Sequence, residues 1–290
     1  MSFTIITDTG SDLSTEYAKK HSIVMAELKA FSGEDPIPTW GSLEDPSWIK
    51  DVYARLRRKE HITTSCVNLE EFETMFEKLA AEGSDFICIS ISSGISATYG
   101  FAADAAAHVR EKYPERKIYV VDSLSASLGQ GLFVDFAVKL RAEGKSVSET
   151  YLWLDENRRN VCHWFTADDL FFLQRGGRVS IAAAIAGTML GIKPVLHVDN
   201  DGKLIPMEKV RGRKAALKAL VDHMEQTAVN PGKQKVFISH GDSLEDCKYV
   251  EKLIRERFGT KEFVVDYIKP MIGAHSGPGC IALFFYGNER

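Results

Sequence analysis

Short runs of β-branched and aromatic residues alternate along this chain with helix-length amphipathic segments, and this alternation restricts the fold most. In the first half, apolar runs at 86–91 and 118–121 flank a segment, 96–112, whose apolar residues recur at helical spacing. Continuous apolar runs are typical of parallel strands buried on both faces, and their alternation with helices indicates βαβ units. We therefore predict an α/β fold whose first half is a mainly parallel sheet flanked by helices.

The pattern changes after about residue 145. The turn Asp199-Asn200-Asp201-Gly202 separates two strand-like runs, 194–198 and 203–211, which predicts a hairpin with antiparallel pairing. Because 290 residues exceed the usual size of a single core, we predict two domains. The predicted bounds are 1–155 for the parallel α/β domain and 156–290 for a mixed-sheet α/β domain, with a ligand in the cleft between them.

Composition limits the classes of partner. A net charge of -4 gives no overall attraction to nucleic acid or to an anionic membrane. The longest apolar stretches, such as 181–192, are shorter than a bilayer span and contain glycine and threonine, so we expect a buried helix there and no stable membrane insertion. The first residues lead directly into a strand without a signal-peptide pattern, and we expect a cytoplasmic protein. Five scattered cysteines without C-x-x-C spacing predict reduced thiols and no structural metal.

Hydroxyl-rich turns follow several predicted strands, at 8–12, 63–65, 90–94 and 122–125. Ligands of parallel sheets bind beyond the carboxyl ends of the strands, so these turns are expected to face one crevice. The alternative for each hydroxyl is that it caps the following helix, as Ser96 is placed to do.

A glycine-rich segment, 273–279, precedes the last apolar strand and contains His275, Ser276 and Pro278. Its glycines allow the backbone to approach a ligand closely. We expect a loop in which backbone N–H groups, the Ser276 hydroxyl and an imidazole that titrates near neutrality bind an oxyanion, either a carboxylate or a phosphate. The alternative is a tight turn with a solvated histidine.

Several catalytic and cofactor motifs are missing from the sequence. The segment around Ser93 lacks the G-x-S-x-G elbow of serine hydrolases, because Ile91 stands where the first glycine is required. There is no P-loop and no G-x-G-x-x-G, so no cofactor is expected. A hydrolase that uses Ser93 and His275 remains an alternative.

Seven segments in order resemble the DegV family of bacterial fatty-acid-binding proteins, the lipid-carrying subunits of fatty acid kinase. Together they extend over essentially the whole chain. They are the turn Asp8 to Leu13, Thr64-Ser65, residues 91–99, residues 121–123 with 127–131, residues 175–180, residues 191–194, and residues 273–279. The chain departs from the family pattern at Cys66-Val67-Asn68, where glutamine and proline are usual.

The resemblance implies a long-chain fatty acid in an apolar tunnel, with its carboxylate in the interdomain cleft. The carboxylate-binding residues that it implies are Thr64, Ser65, Ser92, Ser93, Gly94, His275 and Ser276. The candidates for the tunnel wall are Ile95, Phe101, Met189, Leu190 and Ile192.

The resemblance also implies a partner. In such proteins a separate ATP-dependent kinase converts the bound carboxylate to an acyl phosphate, so the chain is expected to be a carrier and not the catalyst. Basic residues concentrate in the second half, and we expect Arg178 and Arg211 to contact the kinase. The alternative for these basic residues is a solvated face with scattered ion pairs. The alternative is a kinase-like enzyme, since the fold is similar to the substrate domain of dihydroxyacetone kinase.

Overall fold

A computed structural model describes residues 3–41, 45–180 and 191–290. Within those ranges, no helix combines the length and the apolar character that crossing a membrane requires. The buried helix expected from 181 onward, and the tunnel candidates Met189 and Leu190, lie outside the described residues.

The strands of the described residues are β1 (Thr4–Asp8), β2 (Ile23–Ala26), β3 (Lys29–Ser32), β4 (Asp35–Ile37), β5 (Ile62–Ser65), β6 (Phe86–Ser90), β7 (Ile118–Asp122), β8 (Val161–Thr166), β9 (Ile192–Val198), β10 (Leu204–Arg211), β11 (Val236–His240), β12 (Phe263–Tyr267) and β13 (Ile281–Tyr286). The helices are α1 (Thr15–Lys20), α2 (Ser47–Arg57), α3 (Leu69–Ala81), α4 (Thr98–Lys112), α5 (Leu128–Ala142), α6 (Val147–Asn157), α7 (Phe171–Arg175), α8 (Arg213–Thr227), α9 (Leu244–Phe258) and α10 (Pro270–Ser276).

These strands form two main sheets, and the predicted α/β class is confirmed. The first sheet is parallel, with the order β2-β1-β6-β7. The second has the order β10-β9-β8-β13-β11-β12 and is mixed, because only β11 and β12 pair in parallel. The hairpin predicted at 199–202 joins the antiparallel strands β9 and β10.

Strand β5 does not belong to the parallel sheet, and the expectation that residues 63–65 end one of its strands was wrong. It pairs antiparallel with β3 in a separate three-stranded sheet of order β4-β3-β5, where Thr64 lies opposite Ala30. Four-residue strands carry no pattern that identifies their partner, so the sequence could not assign this pairing.

The glycine-rich segment is partly helical, which corrects the prediction of a loop. Pro270 begins α10 at a position where its missing N–H costs nothing, and the helix includes His275 in its last turn. Gly277, with φ of 74°, ends the helix in a conformation that residues with a side chain rarely adopt.

Helix α5 packs between the two main sheets. Its buried residues Leu132 and Phe133 belong to one core that also contains Ile89 of the parallel sheet and Phe284 of the mixed sheet. One apolar cluster therefore extends across the two predicted domains, and the boundary at 155 remains a prediction.

A buried cluster of charges fixes the start of α10. Lys269 is completely buried, and its ammonium group lies 3.1 Å from a carboxylate oxygen of Asp266 and also bonds the carbonyl oxygen of Asp12. The Lys269 backbone N–H donates to the Asp12 carboxylate at 3.0 Å, and the Ser127 hydroxyl donates to the same carboxylate. Burial raises the pKa of Asp12 to about 7, although Lys269 opposes that shift.

We predict that Lys269→Met lowers the free energy of unfolding by about 3–5 kcal/mol, because two buried carboxylates then lose their cation. Urea denaturation at neutral pH measures the change. Lys218→Met is the matched control, since Lys218 pairs with Asp222 on the exposed face of α8, and it should change the same quantity by less than about 1 kcal/mol. A Lys269→Met variant as stable as the control would contradict the role given to the cluster.

Candidate functional site

A cavity of about 430 Å³ lies where β5, α10, the turn after β6, and the strands β8 and β13 meet. Its volume is within the range of small-molecule sites. Most of its wall is apolar and comes from Leu28, Ile91, Ile95, Ala126, Phe165, Leu173, Leu204, Ile268, Met271, Ile272 and Ala282.

A group of polar side chains interrupts this apolar wall. The Nε2 atom of His275, on α10, lies 2.8 Å from the Thr64 hydroxyl on β5. Ser65, Ser276 and Arg178 also line the cavity. The Ser276 hydroxyl is buried and has no oxygen or nitrogen partner among the described residues. The structure therefore brings together four of the seven predicted carboxylate-binding residues, which are Thr64, Ser65, His275 and Ser276.

Gly176 allows the His275 ring to occupy this position. A Cβ atom at residue 176 would lie 2.2 Å from the ring Nδ1. Since Gly176 has an ordinary helical φ of -74°, the requirement for glycine is one of space and not of backbone conformation. Arg178 donates from Nη1 to the Gly176 carbonyl and from Nε to the Ile95 carbonyl at 3.2 Å, which holds its guanidinium at the cavity.

The His275 imidazole is neutral at physiological pH. Burial, together with the positive charges of the nearby Arg178 and Arg175, lowers its pKa to about 4. The expectation that His275 titrates near neutrality was therefore wrong. A neutral ring offers one N–H donor and one acceptor, and the positive charge at the site comes from the guanidinium of Arg178.

The backbone N–H groups of the glycine-rich segment do not face the cavity as a group of free donors. The Gly277 N–H donates to the Gly273 carbonyl at 2.8 Å, and the Gly279 N–H donates to the Gly241 carbonyl at 2.7 Å. The predicted backbone contribution to oxyanion binding was wrong, because helix formation and the neighbouring turn use these donors.

Ser92 and Gly94 hold the turn after β6 against the β9–β10 hairpin, and Ser93 ties the same turn to the end of β7. The Ser92 hydroxyl donates to the Gly202 carbonyl at 2.8 Å, and Gly94 is so close that a Cβ atom would lie 2.6 Å from the Asp201 carbonyl oxygen. The Ser93 N–H donates to Asp122 at 3.1 Å, whereas Ser93 itself is exposed. The role of these three residues in binding a carboxylate remains a prediction.

The sequence-based candidates for the tunnel wall and the partner surface lie in different places. Ile95 lines the cavity, Phe101 lies on α4 and packs against an apolar core, and Ile192 begins β9. Arg211 is exposed at the end of β10. Arg178 lies half-buried in the cavity wall, a position that the sequence did not indicate.

Two wall residues, His163 and Met271, had no sequence signal of their own, and Ser127 stood only in the 127–131 segment of the family resemblance, without a predicted role. Ser127 stands at the start of a buried helix, His163 lies within a strand, and Met271 has the apolar character of a core residue. Only the packing of distant elements places them around one space.

Comparisons with known proteins identify the same family over nearly the whole chain. The family described as "Uncharacterised protein, DegV family" matches residues 2–288. A DegV domain-containing protein of Clostridium perfringens is 38% identical over 288 residues, which cover 99% of this chain and 98% of the relative.

Two solved structures are similar in fold. A DegV lipid binding protein from Thermotoga maritima gives a TM-score of 0.85 at 26% identity, with 100% of both chains covered. DegV from Bacillus subtilis, a fatty acid binding protein, gives a TM-score of 0.81 at 29% identity, with 99% of this chain and 100% of that chain covered.

We predict that His275 titrates with a pKa of about 4 in the ligand-free protein, measured by NMR on ¹⁵N-histidine-labelled protein. Arg178→Gln should raise this pKa, because it removes a neighbouring positive charge. Since the folded protein holds the ring neutral, the unfolded chain binds more protons as pH falls below the ordinary value of 6.5. His275 therefore contributes a loss of stability as pH falls from about 6.5 to about 4.

A His275 that titrated near the ordinary value of 6.5 would contradict the assignment of a buried neutral ring. An unchanged pKa in Arg178→Gln would contradict the proximity of the guanidinium.

Proposed function

The chain belongs to the DegV family, and on that premise we propose that it binds a long-chain fatty acid in this cavity and presents the carboxylate to an ATP-dependent fatty acid kinase, which converts it to an acyl phosphate. The observation that carries the proposal is an apolar cavity whose wall is interrupted by Thr64, His275, Ser276 and Arg178. In this proposal the chain is a carrier, and the partner performs the chemistry.

The polar group suits a carboxylate. The Thr64 hydroxyl and the neutral His275 ring are 2.8 Å apart, and each carries one proton. When the Nε2–H of the ring donates to the Thr64 oxygen, the Thr64 hydroxyl proton can be donated to a ligand oxygen. The buried Ser276 hydroxyl, which bonds the Cys280 sulfur and has no oxygen or nitrogen partner in the described ranges, is a further donor for which a ligand oxygen can compete. Arg178 supplies the charge that makes such hydrogen bonds stronger than neutral ones.

The apolar wall suits an acyl chain. Burial of each methylene group contributes about 0.8 kcal/mol, so a long chain supplies affinity without a strong ion pair at the carboxylate. A moderate interaction at the carboxylate is consistent with a group that must remain reactive toward a second protein.

The docking surface for the kinase is proposed around Arg211. This residue is exposed at the end of β10, whereas Arg178 lies at the cavity and is closer to the ligand than to a flat docking surface. Positive charge at both places complements the negative charge that phosphorylation adds to the carboxylate.

The enzymatic alternatives have less support. His275 Nε2 bonds Thr64, Ser93 is exposed, and among the described residues no hydrogen bond joins Ser93 to His275 as a hydrolase would require. A kinase-like enzyme for a small ketone would need a small polar pocket, whereas this cavity has a predominantly apolar wall.

The test is mass spectrometry of the protein purified under native conditions, with Gly176→Ala beside the wild type. We expect a co-purified long-chain fatty acid in the wild type. Gly176→Ala should retain at least about tenfold less, because the added methyl group displaces the His275 ring by collision with Nδ1.

The matched control is Gly100→Ala. Gly100 lies on α4, where an added Cβ atom meets nothing within 4 Å, so lipid retention should equal that of the wild type. Wild-type protein that neither co-purifies with nor binds a fatty acid, but hydrolyses p-nitrophenyl esters in a manner abolished by Ser93→Ala, would replace the carrier by the hydrolase.

Kinase docking is tested with Arg211→Glu loaded with fatty acid. We expect slower acyl phosphate formation by a purified fatty acid kinase subunit, with the difference reduced at high salt because the attraction is screened. Lipid affinity should not change, since Arg211 is not part of the cavity wall. Lys252→Glu reverses a charge on exposed α9 and should react at the wild-type rate. Equal rates for all three proteins would remove Arg211 from the docking surface.

A further inference from the structure

One polar side chain in the cavity wall has no part in the proposed carboxylate site. His163 lies on β8 and lines the cavity, and its ring packs against Phe284 at 4.5 Å and Phe165 at 5.4 Å between centroids. Only 5% of the residue is exposed. Its Nδ1 atom is buried without a hydrogen-bond partner, and no hydrogen bond within the described ranges engages the other ring nitrogen.

Packing does not explain a histidine at this place. The other residues of β8 that face the same core, Val161 and Phe165, are apolar, and the ring lies between two phenylalanines. A buried polar group without a partner destabilises the fold, whereas an apolar group of similar shape would not. The unpaired His163 ring therefore lowers the stability of the ligand-free protein, and a bound ligand that hydrogen bonds to the ring would recover that loss.

The ring is neutral, which defines the chemistry it can recognise. Burial holds the pKa of His163 well below its ordinary value, and Arg290 and His197 lower it further. A neutral imidazole presents one N–H donor and one acceptor nitrogen, and both suit an uncharged oxygen such as a hydroxyl or a ketone.

The neighbouring hydroxyl of Ser127 is already engaged. It donates to the Asp12 carboxylate and lies 2.8 Å from the Ser239 hydroxyl. Unlike Ser127, His163 therefore has unused hydrogen-bonding capacity and lies outside the carboxylate site.

We propose that His163 determines specificity by hydrogen bonding an oxygen substituent on the acyl chain, so that the preferred ligands are hydroxy or oxo fatty acids. The proposal rests on the proposed function, because it places an acyl chain in this cavity. The hydrogen bond from His163 is a second polar contact, in addition to the one at the carboxylate. It selects among fatty acids by the substituent on the acyl chain.

The experiment compares the affinity of delipidated wild-type protein for octadecanoic acid and for a panel of monohydroxyoctadecanoic acids that differ only in the position of the hydroxyl. We expect one or two positional isomers to bind about three- to tenfold more tightly than octadecanoic acid. The other isomers should bind more weakly than octadecanoic acid, because they bury a hydroxyl without a partner.

Two variants separate recognition from structure. His163→Phe should remove the preference and should raise Tm, since it replaces an unpaired polar ring by an apolar one. His163→Gln keeps a donor and an acceptor and should retain part of the preference. Phe165→Leu, which changes the adjacent wall without changing its polarity, should leave the ratio of the two affinities within about twofold.

The outcomes distinguish the two proposals. Failure of every acid to bind would reject the proposed function itself. Binding of octadecanoic acid with no isomer preferred would leave that function intact and reject the role of His163, with a water molecule as its partner instead. A preference that survives in His163→Phe would also overturn the inference.

Discussion

The buried ion pair of Lys269 and Asp266, with the carboxylate of Asp12 beside it, is the interaction on which the site depends. It joins the turn after β1 to Lys269, the residue that immediately precedes α10, and α10 carries His275 six residues further along. Tyr53 strengthens the same junction, because its hydroxyl donates to the Ile268 carbonyl at 2.6 Å. Removing charges from water is costly, and a cluster of this kind persists only where its geometry is held by further hydrogen bonds. The position of the imidazole is thus set by contacts between the first and the last parts of the chain.

The electrostatics of the cavity follow from this burial. Because the His275 and His163 rings are both held neutral, the guanidinium of Arg178 is the positive group among the polar residues of the cavity wall. An anionic headgroup then has one preferred place, and the remainder of the wall discriminates by shape and by hydrogen bonding of uncharged groups.

Parts of the fold and of the site were accessible from the sequence because they depend on local patterns. The strands β6 and β7, the helix between them and the hairpin at 199–202 follow from periodicity and turn chemistry. Thr64 and His275 were identified from the family resemblance, and the structure brings them within hydrogen-bond distance. The loop expected around His275 became a helix, since a proline at its first position favours a helix start as readily as a turn.

The sequence by itself determined the alternation of strands and helices, the α/β class and the family, because each of these is written in the spacing of neighbouring residues. Tertiary structure alone decided that β5 leaves the parallel sheet, that Gly176 makes room for the imidazole, and that Arg178 and His163 face the same cavity. It also decided that His275 is neutral. These properties depend on burial and on contacts between residues far apart in the chain, and no local pattern encodes which distant groups exclude water from a given side chain.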